Sequence, residues 1–230
     1  MAQTSGIIKD QDFLNWTNAW SESEFSKSGF AHLFAQKQEG VQFSDESMFD
    51  IVSTIGLDTI QVRFGLNSDD KENQFQVFMY GIDGLGTRVT PYYGSSPIVS
   101  SGELGDTPHE VPDVVAQQWM DLWKKALQED SVNASSFKTN YGYLRGYGYA
   151  MRSVVDTLFP GPDVKANIIN VFFGLHQYLG RAADPENPTF TFGLILHSQI
   201  VKPGDNQKVL GNDNDESVYY DLSTPCPPTC

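Results

Sequence analysis

Cysteine is nearly absent from this chain of 230 residues: there are two, Cys226 and Cys230, both at its end, so the fold is not expected to depend on disulfides. Basic residues are scarce too, with 15 Lys and Arg against 29 Asp and Glu and a net charge of −14. Nucleic acid and anionic membrane surfaces both reward a basic face, so neither is an expected partner. No apolar run approaches the roughly 20 residues of a spanning helix, so no membrane span is expected. Residues Met1 to Asp10 show neither the basic nor the apolar region of a signal peptide, which predicts a cytoplasmic protein. The paired terminal cysteines keep signal-independent release or extracellular assembly open as the alternative. Of the four histidines none lies in a zinc-binding spacing, and no Cys-x-x-Cys, nucleophile elbow, P-loop or dinucleotide fingerprint occurs. No cofactor is expected, and the reading leans away from an enzyme.

Aromatic residues are plentiful instead: 15 Phe, 10 Tyr and 4 Trp. They recur at a fixed offset. Trp16 and Trp20 match Trp119 and Trp123 at a shift of 103, which also takes Phe34 to Phe137, Met48 to Met151 and Ile51 to Val154. The shift grows to 109 where Val62, Phe64, Gly65 and Leu66 meet Val171, Phe173, Gly174 and Leu175. It grows to 115 where Phe75, Val77 and Met79 meet Phe190, Phe192 and Leu194. The extra residues fall at turns, where length changes are tolerated. The pattern predicts an internal duplication, with units at 1–104 and 105–230. The acidity is spread over both.

Each unit opens with a helix, because Phe13, Trp16 and Trp20, like Val115, Trp119, Leu122, Trp123 and Ala126, form one apolar stripe of 3.6-residue period. Asp10 or Asp12 are candidate caps of the first. A second helix is predicted after Ser44, with Met48, Ile51, Val52 and Ile55 on its buried face and Gly56 placed to stop it, and its counterpart runs from about Gly148 to Phe159. Two strands follow in each unit. Thr59 to Phe64 alternates, Gln74 to Tyr80 returns, and the second copy offers Ile168 to Phe173 and Phe190 to Leu196. Extra strands are expected at Arg88–Tyr93 and Ser217–Tyr220, with Gly94 to Pro112 as the linker. A two-stranded hairpin alone is marginal in water, so each unit must gain strands or share a sheet with the other. The expectation is an α+β fold: two tandem helix-helix-strand-strand units, an antiparallel sheet covered by helices, and a pseudo-twofold between the units.

The strand Val62-Arg63-Phe64-Gly65-Leu66, the polar hairpin, the return strand from Phe75 to Asp83, and the closing Cys226-Pro227-Pro228-Thr229-Cys230 resemble a group of small uncharacterised bacterial proteins that carry one such unit. The resemblance implies the architecture and no activity. The second copy departs from it, with Phe172 in place of the arginine.

For function, the aromatic content, the low charged share of 19% and the repeat point to a non-catalytic structural or interaction protein. Exposed hairpin edges are expected to pair, giving a homo-oligomer, ring or filament. Cys226 and Cys230 are inter-subunit or disulfide candidates. The alternative is a ligand-binding module or enzyme sited in the second copy, near His176 and His197. There Tyr141, Tyr143 and Arg145 lie in a Tyr/Gly run able to line an aromatic groove or to serve as a connector. Asp213 and Asp215 sit in an Asp/Asn cluster that is a weak Ca²⁺ candidate and reads equally as a solvated turn.

Overall fold

The computed structural model describes residues 6–23, 30–34, 38–72, 74–99, 113–139, 142–158, 168–178, 189–199, 218–220 and 224–226. The first half runs β1 (Ile7–Ile8), α1 (Asp10–Glu22), β2 (Gly40–Ser44), α2 (Asp45–Val52), β3 (Thr59–Leu66), β4 (Phe75–Ile82), β5 (Tyr92–Gly94) and β6 (Ser96–Ile98). The second half runs α3 (Asp113–Gln128), β7 (Lys138–Thr139), β8 (Gly142–Tyr143), β9 (Gly146–Ala150), α4 (Met151–Leu158), β10 (Ile168–Tyr178), β11 (Thr189–Gln199), β12 (Val218–Tyr220) and β13 (Thr224–Cys226). The α+β class with antiparallel sheet is therefore observed.

Instead of one sheet there are two large ones, ordered β1-β5-β4-β3-β9-β13 and β12-β11-β10-β2-β6. They pack face to face. Phe64 and Phe75 of the first meet Phe173 and Phe192 of the second at 5.5 to 6.0 Å. On the outer faces, α1 lays Phe13 and Trp16 on Phe78, and α3 lays Ala116 and Met120 on Phe172 and Ile195. Period-2 alternation explains the sorting: Ile60, Val62 and Phe64 point inward, while Gln61 and Arg63 point out. Each fully buried Phe of this core stabilises the fold by about 1.5–3 kcal/mol.

The strand order does not respect the expected boundary at residue 104. The hairpin β3–β4 is extended by β9 and β13 from the second half, and β10–β11 by β2 and β6 from the first. Both hairpins are thus internal to their sheets, and their edges are not the exposed ones expected. The outer strand β6 carries Pro97, which has no N–H to offer, a feature that discourages edge-to-edge pairing.

Contacts between the halves come in matched pairs. The Trp20 indole donates to the Leu144 carbonyl at 2.8 Å, and the Trp123 indole to that of Gln38 at 2.9 Å. Phe64 N–H donates to Arg145 O at 2.9 Å, and Phe173 N–H to Glu39 O at 2.8 Å. Across the halves Trp20 lies 4.9 Å from Phe137 and Trp123 4.8 Å from Phe34; within its own half each indole lies 5.1 Å from a strand phenylalanine, Phe75 and Phe192 respectively.

Locally, Ser44 caps α2 as expected, accepting from Ser47 N–H at 3.2 Å. Neither aspartate caps α1. Lys9 occupies the cap position, and Asp10 pairs instead with Arg88 at 2.8 Å. The expected linker starts too early, because β6 lies within it.

Candidate functional site

Among the described residues, those singled out from the sequence do not converge. Tyr143 is 1% exposed and is core: its ring stacks on Trp20 at 5.3 Å and its hydroxyl pairs with Ser23 at 2.8 Å. Among its described residues, the Tyr/Gly run that offered a groove comprises β8 and most of β9, and Tyr147 and Tyr149 of β9 are buried in the same core; Tyr147 donates to the Phe192 carbonyl at 2.6 Å. Arg145 precedes β9 and supplies the carbonyl taken by Phe64. His176 lies on the outer face of β10, edge-on to Trp119 at 5.1 Å. His197, 5% exposed, lies beside Phe172 at 5.6 Å. His176 stands opposite Thr191 and His197 opposite Asn170, six ladder steps apart, or about 20 Å. They cannot form one site. Backbone pairing of Cys226 with Gly146 is described; Tyr141, Asp213, Asp215 and Cys230 lie outside the described residues.

Two other surface features emerge. One is a cavity of about 390 Å³ at the C-terminal end of α3. The helix ends where Asp130 takes a left-handed φ of 51° and Ser131 N–H returns to the Ala126 carbonyl at 2.9 Å. Val132 is then buried, Asn133 caps the short turn Ala134–Phe137 through a capping box with Ser136, and Phe137 plugs into the core. That pinned loop forms one wall. Leu122, Ala126 and Leu175 form an apolar floor, with Phe190, 38% exposed, at the edge. On the helix side of the cavity, Lys125 and Glu129 stand 3.9 Å apart as an i,i+4 pair. The signal for this loop lay in Asn133 and Ser136, a cap followed three residues later by a hydroxyl.

The other feature is an apolar tip. Thr59 and Ile82 face each other at one end of β3–β4, so the loop before Thr59 and the turn after Ile82 emerge together. They carry Leu85, 92% exposed, and Ile55, which was expected on the buried face of α2 but is 97% exposed because the helix stops at Val52; α2, which leads into that loop, adds Phe49 at 56%. The turn is fixed by Asp83, whose carboxylate accepts from Leu85 and Thr87 N–H at 2.9 and 2.8 Å. Asp45, Glu46, Asp50, Asp58 and Asp83 belong to the same segments.

Among the described residues no group of three or more His, Cys, Asp or Glu could hold a metal, and no helix is long and apolar enough to cross a membrane. Two tyrosines are perturbed. Burial raises the Tyr93 hydroxyl above its ordinary value of 10.0, and the charge of Asp50, which accepts its hydrogen bond at 3.5 Å, raises it further. Burial also raises Tyr92, with Asp10 adding to the rise and Arg88 and Arg63 opposing it. Compared with family models, with curated proteins and with solved structures, the chain matches none.

Proposed function

We propose that this protein is a non-catalytic interaction protein, built from two copies of one unit, that associates with further copies of itself through the apolar tip. The observation that carries the reading is the exposure of Phe49, Ile55 and Leu85 on neighbouring segments at one end of β3–β4. Large side chains left in water at one place are a recurrent mark of a protein contact. The matched inter-half contacts support the two-copy origin.

The tip also carries carboxylates, so two copies meeting there bring like charges together. Apolar burial drives the contact and charge opposes it. Association should therefore strengthen as salt rises from about 0.02 to about 0.5 M, the opposite of a contact held by ion pairs. Light scattering coupled to size exclusion, run over a concentration series, reads this directly. The double variant Ile55→Ser, Leu85→Ser should stay monomeric at concentrations where the native chain does not. A native chain that is monomeric at every concentration and salt level sinks the proposal.

A further inference from the structure

The cavity at the end of α3 is separate from the tip and takes no part in that association. The geometry points to a binding site there for a neutral saccharide of one or two rings.

Three features select this chemistry. The first is charge. Lys125 and Glu129 lie side by side on α3, 3.9 Å apart, so the lining carries one cation and one anion and favours neither an acid nor a base as ligand.

The second is the hydrogen-bonding capacity that the loop leaves over. Asn133 Oδ1 already accepts from Ser135 N–H and Ser135 Oγ at 2.8 and 2.6 Å, and Nδ2 donates once, to the Ser131 carbonyl at 2.9 Å. The carboxamide therefore retains one N–H, because an amide carries two donors. Ser131 Oγ donates to the Ala126 carbonyl at 3.2 Å, and Ser135 Oγ to Asn133, which leaves the lone pairs of both hydroxyls to accept. With the Lys125 ammonium and the Glu129 carboxylate, the rim presents donors and acceptors side by side. A ligand hydroxyl is both, so a polyhydroxylated ring meets such a rim without leaving either kind unpaired.

The third is the apolar side. A sugar ring has C–H faces as well as hydroxyl edges, and Phe190 at the edge together with the floor of Leu122 and Leu175 offers the surface on which such a face lies. A volume of about 390 Å³ falls at the small end of the range of ligand sites, about 300–1,000 Å³, which limits the ligand to one or two rings. The wall is built for precision: the capping box and the buried Val132 and Phe137 hold the polar groups before any ligand arrives.

The test uses the full chain and a panel of glucose, galactose, mannose, N-acetylglucosamine and maltose, read by saturation-transfer NMR and by calorimetry. Glucuronate, glucose 6-phosphate and adenosine serve as contrasts. At least one neutral sugar is expected to bind saturably. Phe190→Ala should weaken it about tenfold and Glu129→Gln about threefold, with melting temperatures checked for both. Should Phe190→Ala fail to fold, Phe190→Leu keeps the apolar bulk, removes the flat face and takes its place. The assignment is overturned if no neutral sugar binds, if binding is indifferent to both substitutions, or if a charged sugar or adenosine binds more tightly than every neutral one.

Discussion

Replacing Trp20 by Phe, and separately Trp123 by Phe, tests how the halves are joined. Each indole donates across the boundary between them, to Leu144 O at 2.8 Å and to Gln38 O at 2.9 Å, and both rings are fully buried. Phenylalanine keeps most of the apolar area but cannot donate, so a buried carbonyl loses its partner at a cost of about 1–3 kcal/mol. Loss of the second ring's packing brings the total to about 2–4 kcal/mol, or roughly 5–15 °C in melting temperature for a chain of this size. Three ring neighbours of one indole match three of the other, but Trp20 also meets Phe30 at 5.9 Å and Tyr143 at 5.3 Å, so Trp20→Phe should cost the more of the two. Their double variant should depart from additivity, since Trp20 touches Phe75, Trp123 touches Phe34, and Phe34 and Phe75 lie 4.6 Å apart. Urea unfolding followed by far-UV circular dichroism is the assay. Both sheets draw strands from both halves, so each variant should show one transition with a lower midpoint and an unchanged slope. Two transitions, of which only one moves, would refute the reasoning, because they would show halves that unfold independently.

The strand exchange also places Gly40 and Gly146 hard against the backbone of the other half, where an added Cβ would collide with the carbonyls of Val171 and Val62 respectively. Gly40→Ala and Gly146→Ala should each cost at least about 2–3 kcal/mol in urea unfolding, whereas Gly84→Ala, with open space around it, should be near neutral. A second prediction concerns pH. The raised Tyr92 and Tyr93 hydroxyls bind their protons more tightly in the folded state than in the unfolded one, so the stability they confer is present below pH 10.0 and is lost as pH climbs beyond it through the folded values. Urea midpoints measured at rising alkaline pH should fall, and Tyr93→Phe should lessen the fall; a midpoint indifferent to pH in that range counts against the shifts.

What could be read from the sequence, and what could not, follows from what periodicity measures. The inward face of β3 and the apolar stripe of α3 were legible because alternation and 3.6-residue spacing report which side chains share a face. They do not report which strand lies alongside. Gly40-Val41-Gln42-Phe43-Ser44 and Gly146-Tyr147-Gly148-Tyr149-Ala150 alternate openly, yet nothing in that alternation says that each completes a hairpin of the opposite half. The offsets slipped for the same reason. Strand β2 with α2 stands 106 residues from β9 with α4, where apolar matching gives 103, so by element bounds Met48 is level with Val154 and not with Met151. In the return strand, Leu66 faces Phe75 and Leu175 faces Phe192, an offset of 117 where matching gave 115. A slip of three keeps a helix residue on nearly the same face, and a slip of two keeps a strand residue on the same side, so the hydrophobic pattern is blind to both. Hydrogen-bond register is not blind to them, because each ladder pair names its partner. The same limit explains His176 and His197. Neither has a histidine at the residue matched to it in the first half, so by sequence they pair naturally into one candidate site, but a ladder of six steps keeps them apart. Meanwhile the cavity wall was written in capping residues, which sequence reading assigns to a helix start before asking what that start encloses.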